Sequence, residues 1–304
     1  MYWVTGAHGF IGRHLARHLA ALGHLVCGIG HGAWPLEEAR TWGVKEWLRG
    51  EIDASNLSDL VASSGIPDCI YHLAGGSSVG LSVSHPLEDY RRTVDTSARL
   101  LDWARLCTPH TLLVCVSSAA VYGPGHRHAI PESVERSACS PYGVHKAMME
   151  MMCESYIRNY GMRIAIARLF SVYGAGLQKQ FLWDLCCKLR QNAATLSLDG
   201  TGNEARDWIH ISDVIRLLAA VDGAVPVVNG GCGSPVSVAK IARMTCASWG
   251  SPSTINFTGR VRKGDPESLV ANISRLAATG FEPLMPLRTG IDEYVAWFKE
   301  RSAQ

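Results

Sequence analysis

The apolar positions change period along the chain, and each change marks an element. Tyr2 to Thr5 is short and rich in strand formers. Leu15, Leu19 and Leu22 then recur at helical spacing up to Gly23, and a second apolar run covers Leu25 to Ile29. Strand, glycine turn, helix and strand within roughly thirty residues make one βαβ unit. Further apolar runs at Cys69–Leu73, Leu112–Val116, Ile164–Leu169 and Val225–Val228 predict strands, and another strand is expected just before Gly50. The stretches Leu87–Cys107 and Tyr142–Asn159 predict helices. Alternating strands and helices imply an α/β fold, a doubly wound parallel sheet covered on both faces. After about Phe170 the alternation gives way to Gly- and Ser-rich loops, one helix near Phe181–Arg190, and a region carrying Pro252, Pro266, Pro283 and Pro286. That predicts a smaller, irregular C-terminal lobe. The expected division is 1–170, with 207–230 returning to it, against 171–206 and 231–304.

Composition narrows the partners. The chain has 304 residues, 47% apolar and 18% charged, which describes a compact globular protein rather than a disordered one. Lys plus Arg is 29 against 27 for Asp plus Glu, a formal charge of +2 with no long run of either sign. A polyanion-wrapping surface is excluded on that balance, so no nucleic-acid partner is expected. No run reaches the roughly eighteen apolar residues of a membrane span, and Met1-Tyr2-Trp3-Val4 enters structure without a signal-like segment, so a cytoplasmic protein with no membrane partner is expected. The 10 cysteines are scattered from Cys27 to Cys246 without a CxxC pair and are read as reduced thiols. His14 and His18 share a helix face but lack an acidic partner, and no metal is assigned.

The turn after the first strand reads Gly6-Ala7-His8-Gly9-Phe10-Ile11-Gly12. Glycines let the backbone approach a pyrophosphate, while Phe10 and Ile11 open a helix whose free N–H groups and positive pole stabilise its charge. An acid at the end of the second strand would bind the adenosine ribose and repel a 2′-phosphate. The chain there reads Ile29-Gly30-His31-Gly32, which favours NADP(H) over NAD(H), with His31 a candidate phosphate contact. Glu51, followed by Ile52, is a candidate acceptor for the adenine amino group.

Tyr142-Gly143-Val144-His145-Lys146 opens a helix, which sets Tyr142 and Lys146 one turn apart on one face. An adjacent ammonium favours phenolate, making Tyr142 a candidate general acid/base with Lys146 as its tuner and as a holder of the nicotinamide ribose. Ser118 follows the strand Leu112–Val116, at the carboxyl edge where open α/β sheets bind ligands, and is a candidate to hydrogen-bond the same substrate oxygen.

These motifs, with Tyr71-His72-Leu73-Ala74-Gly75, Ser118 in Ser-Ser-Ala-Ala-Val-Tyr-Gly, Arg168-Leu169-Phe170-Ser171-Val172-Tyr173-Gly174, and Gly200-Thr201-Gly202 leading to Arg206-Asp207-Trp208-Ile209-His210, run in order over nearly the whole chain. Together they resemble an extended short-chain dehydrogenase/reductase of the nucleotide-sugar epimerase/dehydratase/reductase family. The resemblance implies a Rossmann domain for the nicotinamide cofactor, with Leu73, Ala74 and Gly75 beside it, and a C-terminal lobe for a nucleoside-diphosphate sugar. It implies hydride transfer at sugar C4, Ser171 near the substrate, Arg206 and Arg262 on the diphosphate, and Asp265 on the nucleoside. Members often form homodimers by pairing two long helices, here Leu87–Cys107 and Tyr142–Asn159.

The departures from the family narrow the reaction. The acid pair that 4,6-dehydratases carry after the active-site hydroxyl is Ala119-Ala120 here, and alanine cannot move protons. The cysteine and histidine of the 3,5-epimerase/reductases are replaced by Ala119 and Gly176. Plain hydride transfer remains: a 4-keto-sugar reductase is favoured, with an NAD-dependent 4-epimerase, a reductase of another carbonyl, and a non-catalytic NAD(P)-binding regulator as alternatives.

Overall fold

The predicted βαβ unit forms β1 (Tyr2–Thr5), α1 (Phe10–Ala21) and β2 (Val26–Gly30) in the computed structural model, which describes residues 1–261 and 266–302. The chain continues through α2 (Leu36–Thr41), β3 (Val44–Arg49), α3 (Ala54–Ser64), β4 (Cys69–His72), α4 (Val79–Ser84) and α5 (Pro86–Tyr90). A widened helical turn, Arg91–Asp95, joins α5 to α6 (Thr96–Cys107), so the helix expected over Leu87–Cys107 is continuous but carries one local unwinding. Next come β5 (Leu112–Ser118), α7 (Pro141–Tyr160) and β6 (Ile164–Leu169).

The remainder comprises β7 (Ser171–Tyr173), α8 (Gln180–Arg190), β8 (Thr195–Leu198), β9 (Ala205–His210), α9 (Ile211–Ala220), β10 (Val227–Gly230), β11 (Pro235–Ser237), α10 (Val238–Trp249), β12 (Thr254–Phe257), β13 (Ser268–Leu269), α11 (Ser274–Ala277) and α12 (Leu287–Ser302). None of the helices among the described residues is long and apolar enough to cross a membrane.

The main sheet has the order β10-β6-β5-β4-β1-β2-β3, and its neighbours from β6 through β3 run parallel. This is the doubly wound Rossmann-type order, with sequence reversing direction beside β1. One buried cluster joins Trp3, Ile29, Ile70, Leu113 and Ile166 of the strands to Leu57, Leu101, Trp103, Met149 and Cys153 of α3, α6 and α7. The alternation of inward and outward positions along each strand makes that layer.

The chain divides into Met1–Gly123, Glu135–Leu169 and Ile215–Val228 on one side, and Pro124–Val134, Phe170–Val214 and Asn229 onward on the other. The return expected at 207 therefore begins at Ile215. The reason is strand pairing: β9 is held by β7, β11 and β13 in a sheet of the second unit. The Asp207 carboxylate, fully buried, adds three backbone bonds there, from Cys232, Gly233 and Ala271 at 2.6, 2.9 and 3.1 Å.

The second unit is more regular than its Gly, Ser and Pro content suggested. The helix α10 is capped by the Ser237 hydroxyl and ended by Gly250 in the left-handed region, with Ile241, Ala242, Thr245 and Cys246 on its buried stripe. Those cap and stripe signals stand in the sequence.

Candidate active site

The first unit gathers the predicted cofactor residues along the carboxyl ends of its strands. Gly6 has φ +71°, a left-handed turn that a side chain would strain, and a Cβ there would sit 3.0 Å from the Ala74 N–H nitrogen. A Cβ on Gly12 would overlap the Gly6 carbonyl oxygen, so only glycine lets α1 start this close to the turn. Gly9 is the N-cap of α1 and offers no side-chain cap, which leaves the N–H groups at Phe10, Ile11 and Gly12 facing outward from the helix end. A glycine-lined turn feeding an uncapped helix N-terminus fits a pyrophosphate.

Beside it, a hydrogen-bond chain fixes the segment after β4. Burial holds the His72 pKa down to about 3, with the Lys146 charge adding to the effect, so the imidazole is neutral near pH 7. Ser97 donates to the Thr93 carbonyl at 2.5 Å and so accepts from His72 Nε2 at 2.9 Å. His72 Nδ1 then accepts from Thr5 Oγ1 at 2.8 Å, and Thr5 Oγ1 accepts the N–H groups of Leu73 and Ala74, both at 3.2 Å. The widened turn contributes Thr93 Oγ1, which accepts from the Gly76 N–H at 2.9 Å.

The adenosine end differs from expectation. His31 lies 3.4 Å from the Glu51 carboxylate, and both side chains are about two-thirds exposed. Ile52, next to Glu51, is buried in the core. A carboxylate thus stands at the tip of β2 after all, supplied by the segment following β3, and a 2′-phosphate brought to His31 would meet that negative charge.

Three elements assemble the reactive groups. Ser118 ends β5, and its hydroxyl accepts from the Ala120 N–H at 3.2 Å, capping a short turn that holds Ala119 and Ala120. Helix α7 starts at Pro141 behind the Ser140 cap. A Cβ on Gly143 would lie 2.5 Å from the Ala120 carbonyl oxygen, so glycine lets α7 abut the end of β5. That approach brings the Ser118 hydroxyl near enough to the Tyr142 phenol to pull its pKa down. The Tyr142 N–H donates to Ser82 Oγ on α4 at 3.0 Å.

One turn on, the Lys146 side chain is 5% exposed and its Nζ donates to the Val116 carbonyl at 2.9 Å. Burial lowers its pKa to about 8, against the upward pull of Asp89, Cys115 and Glu150. Tyr142 is not the acidic phenol that the spacing suggested. Burial raises its pKa, the Ser118 hydroxyl opposes this, and Asp89 adds to the rise. Desolvation of the phenolate sets the direction.

A buried ion network anchors α7. Glu150, one turn past Lys146 and fully buried, accepts from Ser117 Oγ at 2.6 Å, from Arg168 at 2.9 and 2.6 Å, and from Arg136 at 3.1 Å. It ties α7 to the ends of β5 and β6. The sequence reading treated Arg168 only as part of a motif, and Glu150 went unnoticed, although it follows Lys146 by one turn.

The second unit holds a separate cavity of about 390 Å³. Ser171 and Arg206, both predicted, line it. So do Lys179, Phe181, Trp208 and Arg260, which sequence reasoning missed. Trp208 was within reach: it lies two residues from Arg206 on β9, hence on the same face, whereas Asp207 points the other way into the core. Gln180, also in the lining, has φ +69°, an unusual backbone for a non-glycine residue. Arg262 and Asp265 lie outside the described residues.

The sequence profile of the NAD dependent epimerase/dehydratase family matches residues 2–225. An uncharacterized UDP-glucose epimerase of Bacillus subtilis is 29% identical over 316 residues, covering 97% of this chain and 96% of its own. A UDP-glucose 4-epimerase of Azospirillum brasilense is 30% identical over 295 residues, covering 90% of this chain and 84% of its own. Among solved structures, a UDP-glucuronic acid 4-epimerase of Bacillus cereus, in complex with UDP-glucuronic acid and NAD, superposes with a TM-score of 0.86 at 27% identity, covering 99% of both chains.

Proposed function

We propose, from the premise that this chain belongs to the NAD dependent epimerase/dehydratase family, that it is a nucleotide-sugar 4-epimerase working on bound NAD. It is an enzyme of the extended short-chain dehydrogenase/reductase class. The observation that carries the reading is Tyr142 set beside Ser118, one helical turn before the buried Lys146.

When bound, oxidised nicotinamide supplies a hydride acceptor and a positive charge next to the phenol. Tyr142 is ionised once the positive charge of bound oxidised nicotinamide offsets the desolvation that raises its pKa. It would then take the proton from the sugar's C4 hydroxyl as the C4 hydrogen leaves as hydride, and return it once the ketone has turned over. Ser118 holds that oxygen through its hydroxyl. Lys146 keeps positive charge beside the phenol and holds the nicotinamide ribose. Leu73, Ala74 and Gly75 border the cofactor, and Gly6, Gly9, Phe10, Ile11 and Gly12 take the pyrophosphate. Arg206 grips the substrate diphosphate, its planar fork matching phosphate oxygens, and Lys179 and Trp208 stand in the same cavity.

The epimerase reading replaces the 4-keto-sugar reductase favoured on sequence. That preference leaned on the missing acid after β2, and Glu51 beside His31 removes the ground for it while favouring NAD over NADP. The relatives named above support the same choice. Purified enzyme incubated with UDP-glucose and with UDP-glucuronic acid, products resolved by anion-exchange chromatography, tests it. The expected result is a 4-epimer formed without net consumption of nicotinamide. No epimer from either sugar, with one equivalent of NADPH oxidised when a nucleoside-diphosphate 4-keto sugar is supplied instead, would restore the reductase.

A homodimer belongs to the same proposal. The outward sides of α5, α6 and α7 leave Leu87, Leu106, Val144, Met151 and Tyr160 exposed. Sedimentation at micromolar concentration is expected to give twice the single-chain mass.

A further inference from the structure

His145 separates the two residues assigned to chemistry on α7, and it does not face water. Its side chain is 11% exposed, its Nδ1 lies 2.6 Å from Asp89 Oδ2, and the Asp89 side chain is 7% exposed. A carboxylate only accepts, so the imidazole donates from Nδ1. The edge of Tyr90 packs on the ring, with centroids 5.6 Å apart at 80°. The Asp89 carboxylate is thereby fixed by a residue fifty-six positions away in sequence.

The other carboxylate oxygen points to the turn after β4. A Cβ on Gly76 would overlap Asp89 Oδ1, and a Cβ on the preceding Gly75 would lie 3.3 Å from Lys146 Nζ. Two consecutive glycines thus make room for an ammonium and a carboxylate on the same turn, with Thr93 Oγ1 between them at 3.5 and 3.2 Å from the two Cβ positions. Lys146 makes its hydrogen bond to a neutral carbonyl, that of Val116. A buried ammonium with a neutral partner needs a counter-charge nearby.

We infer that Asp89, clamped by His145, is a positioning residue that keeps the Lys146 ammonium charged and directed at the Gly75–Gly76 turn. The groups facing Lys146 are Asp89 from α5, His72 from β4, Cys115 from β5, and Glu150 and Cys153 from its own helix, with Tyr142 one turn before. Glu150 is already committed to Ser117, Arg168 and Arg136, and His72 is neutral near pH 7. Asp89 is therefore the carboxylate left to balance Lys146. The inference rests on Lys146's place in the proposed site.

Its test needs no sugar. Protein labelled with 13C at lysine Cε is titrated by NMR, the Lys146 signal being assigned by its loss in Lys146→Met. The native midpoint is expected near 8. Asp89→Asn should lower it by about one pH unit or more, since an opposite charge is removed. His145→Gln, which keeps a donor toward Asp89, should leave it in place, and His145→Ala should lower it by less than Asp89→Asn does. NAD affinity by calorimetry at pH 7.5 should fall about threefold in Asp89→Asn, as the charged fraction of Lys146 drops, and stay near native in His145→Gln. Asp89→Ser serves where Asp89→Asn does not fold. An unmoved midpoint on loss of the carboxylate overturns the inference, and an unmoved midpoint in His145→Ala overturns the clamp. A protein inert toward nucleotide sugars would defeat the proposed reaction yet leave the Lys146 titration readable, so the two failures are distinct.

Discussion

The Ser118–Tyr142–Lys146 site and the cavity of the second unit are built in opposite ways. The first is set by backbone: β5 and α7 end against each other because Gly143 has no side chain, and the turn after β4 admits Lys146 and Asp89 because Gly75 and Gly76 have none. Lys146 is buried and Ser118 and Tyr142 partly so, and desolvation is the largest influence on the phenol and the ammonium. The cavity is set by side chains: Lys179, Arg206 and Arg260 share it with Asp184, Asp199 and Glu204. Such a lining can be rewritten one residue at a time without moving an element. Proton transfer demands fixed geometry and a dry surrounding, whereas recognition tolerates substitution, which suits the rigid part to the proposed chemistry and the adaptable part to the proposed choice of substrate.

The contrast can be broken experimentally. Tyr142→Phe removes the proton acceptor but keeps the ring, and kcat should fall about 10²- to 10⁴-fold with substrate affinity preserved; a variant of near-native rate would remove Tyr142 from the reaction. Glu150→Gln leaves the buried Arg168 guanidinium without its carboxylate, while Arg136 keeps Glu154, and should cost about 3–5 kcal/mol of stability, read by urea denaturation. A change within a few tenths of a kcal/mol would mean that α7 is anchored by apolar packing alone. Arg206→Ala should raise KM about 10- to 100-fold while NAD binding is untouched, because the lost contact is to a charged ligand group in the other unit. Equal losses of NAD and sugar-nucleotide affinity would contradict the division of labour.

The smallest expected effect sharpens the comparison through pH. Lys146 has a pKa lowered to about 8, so its ammonium is present below that pH and is lost as pH rises through it. The rate should decline above pH 8, by about tenfold at pH 9, if the charged form is the working one. Arg206 stays protonated throughout. Hence kcat should carry the pH dependence and KM should not.

Much of this was legible beforehand, and the exceptions share a cause. Gly6, Gly9 and Gly12, and the Tyr142/Lys146 spacing, are local patterns within one turn or one helical step. His31 was read alone because its partner Glu51 follows another strand, and the sequence gives no sign that the two meet. Tyr142 was expected to be acidic because the spacing reveals a nearby lysine but not the desolvation that raises the phenol's pKa. Lys179 and Arg260 belong to a cavity whose walls also come from β7, α8, β9 and α10, and no spacing in the chain announces that meeting.

From the sequence by itself came the parallel sheet, the glycine turn, the hydroxyl at the end of β5 and the phenol and ammonium on one face of α7. These depend on periodicity and on which backbone angles a residue permits, both settled within a few residues. Only the tertiary structure decided the protonation of those groups, the Asp89–His145 clamp and the ion network at Glu150. Charge in a buried place is governed by solvent exclusion and by partners brought from distant parts of the chain, and neither exists until the chain has folded.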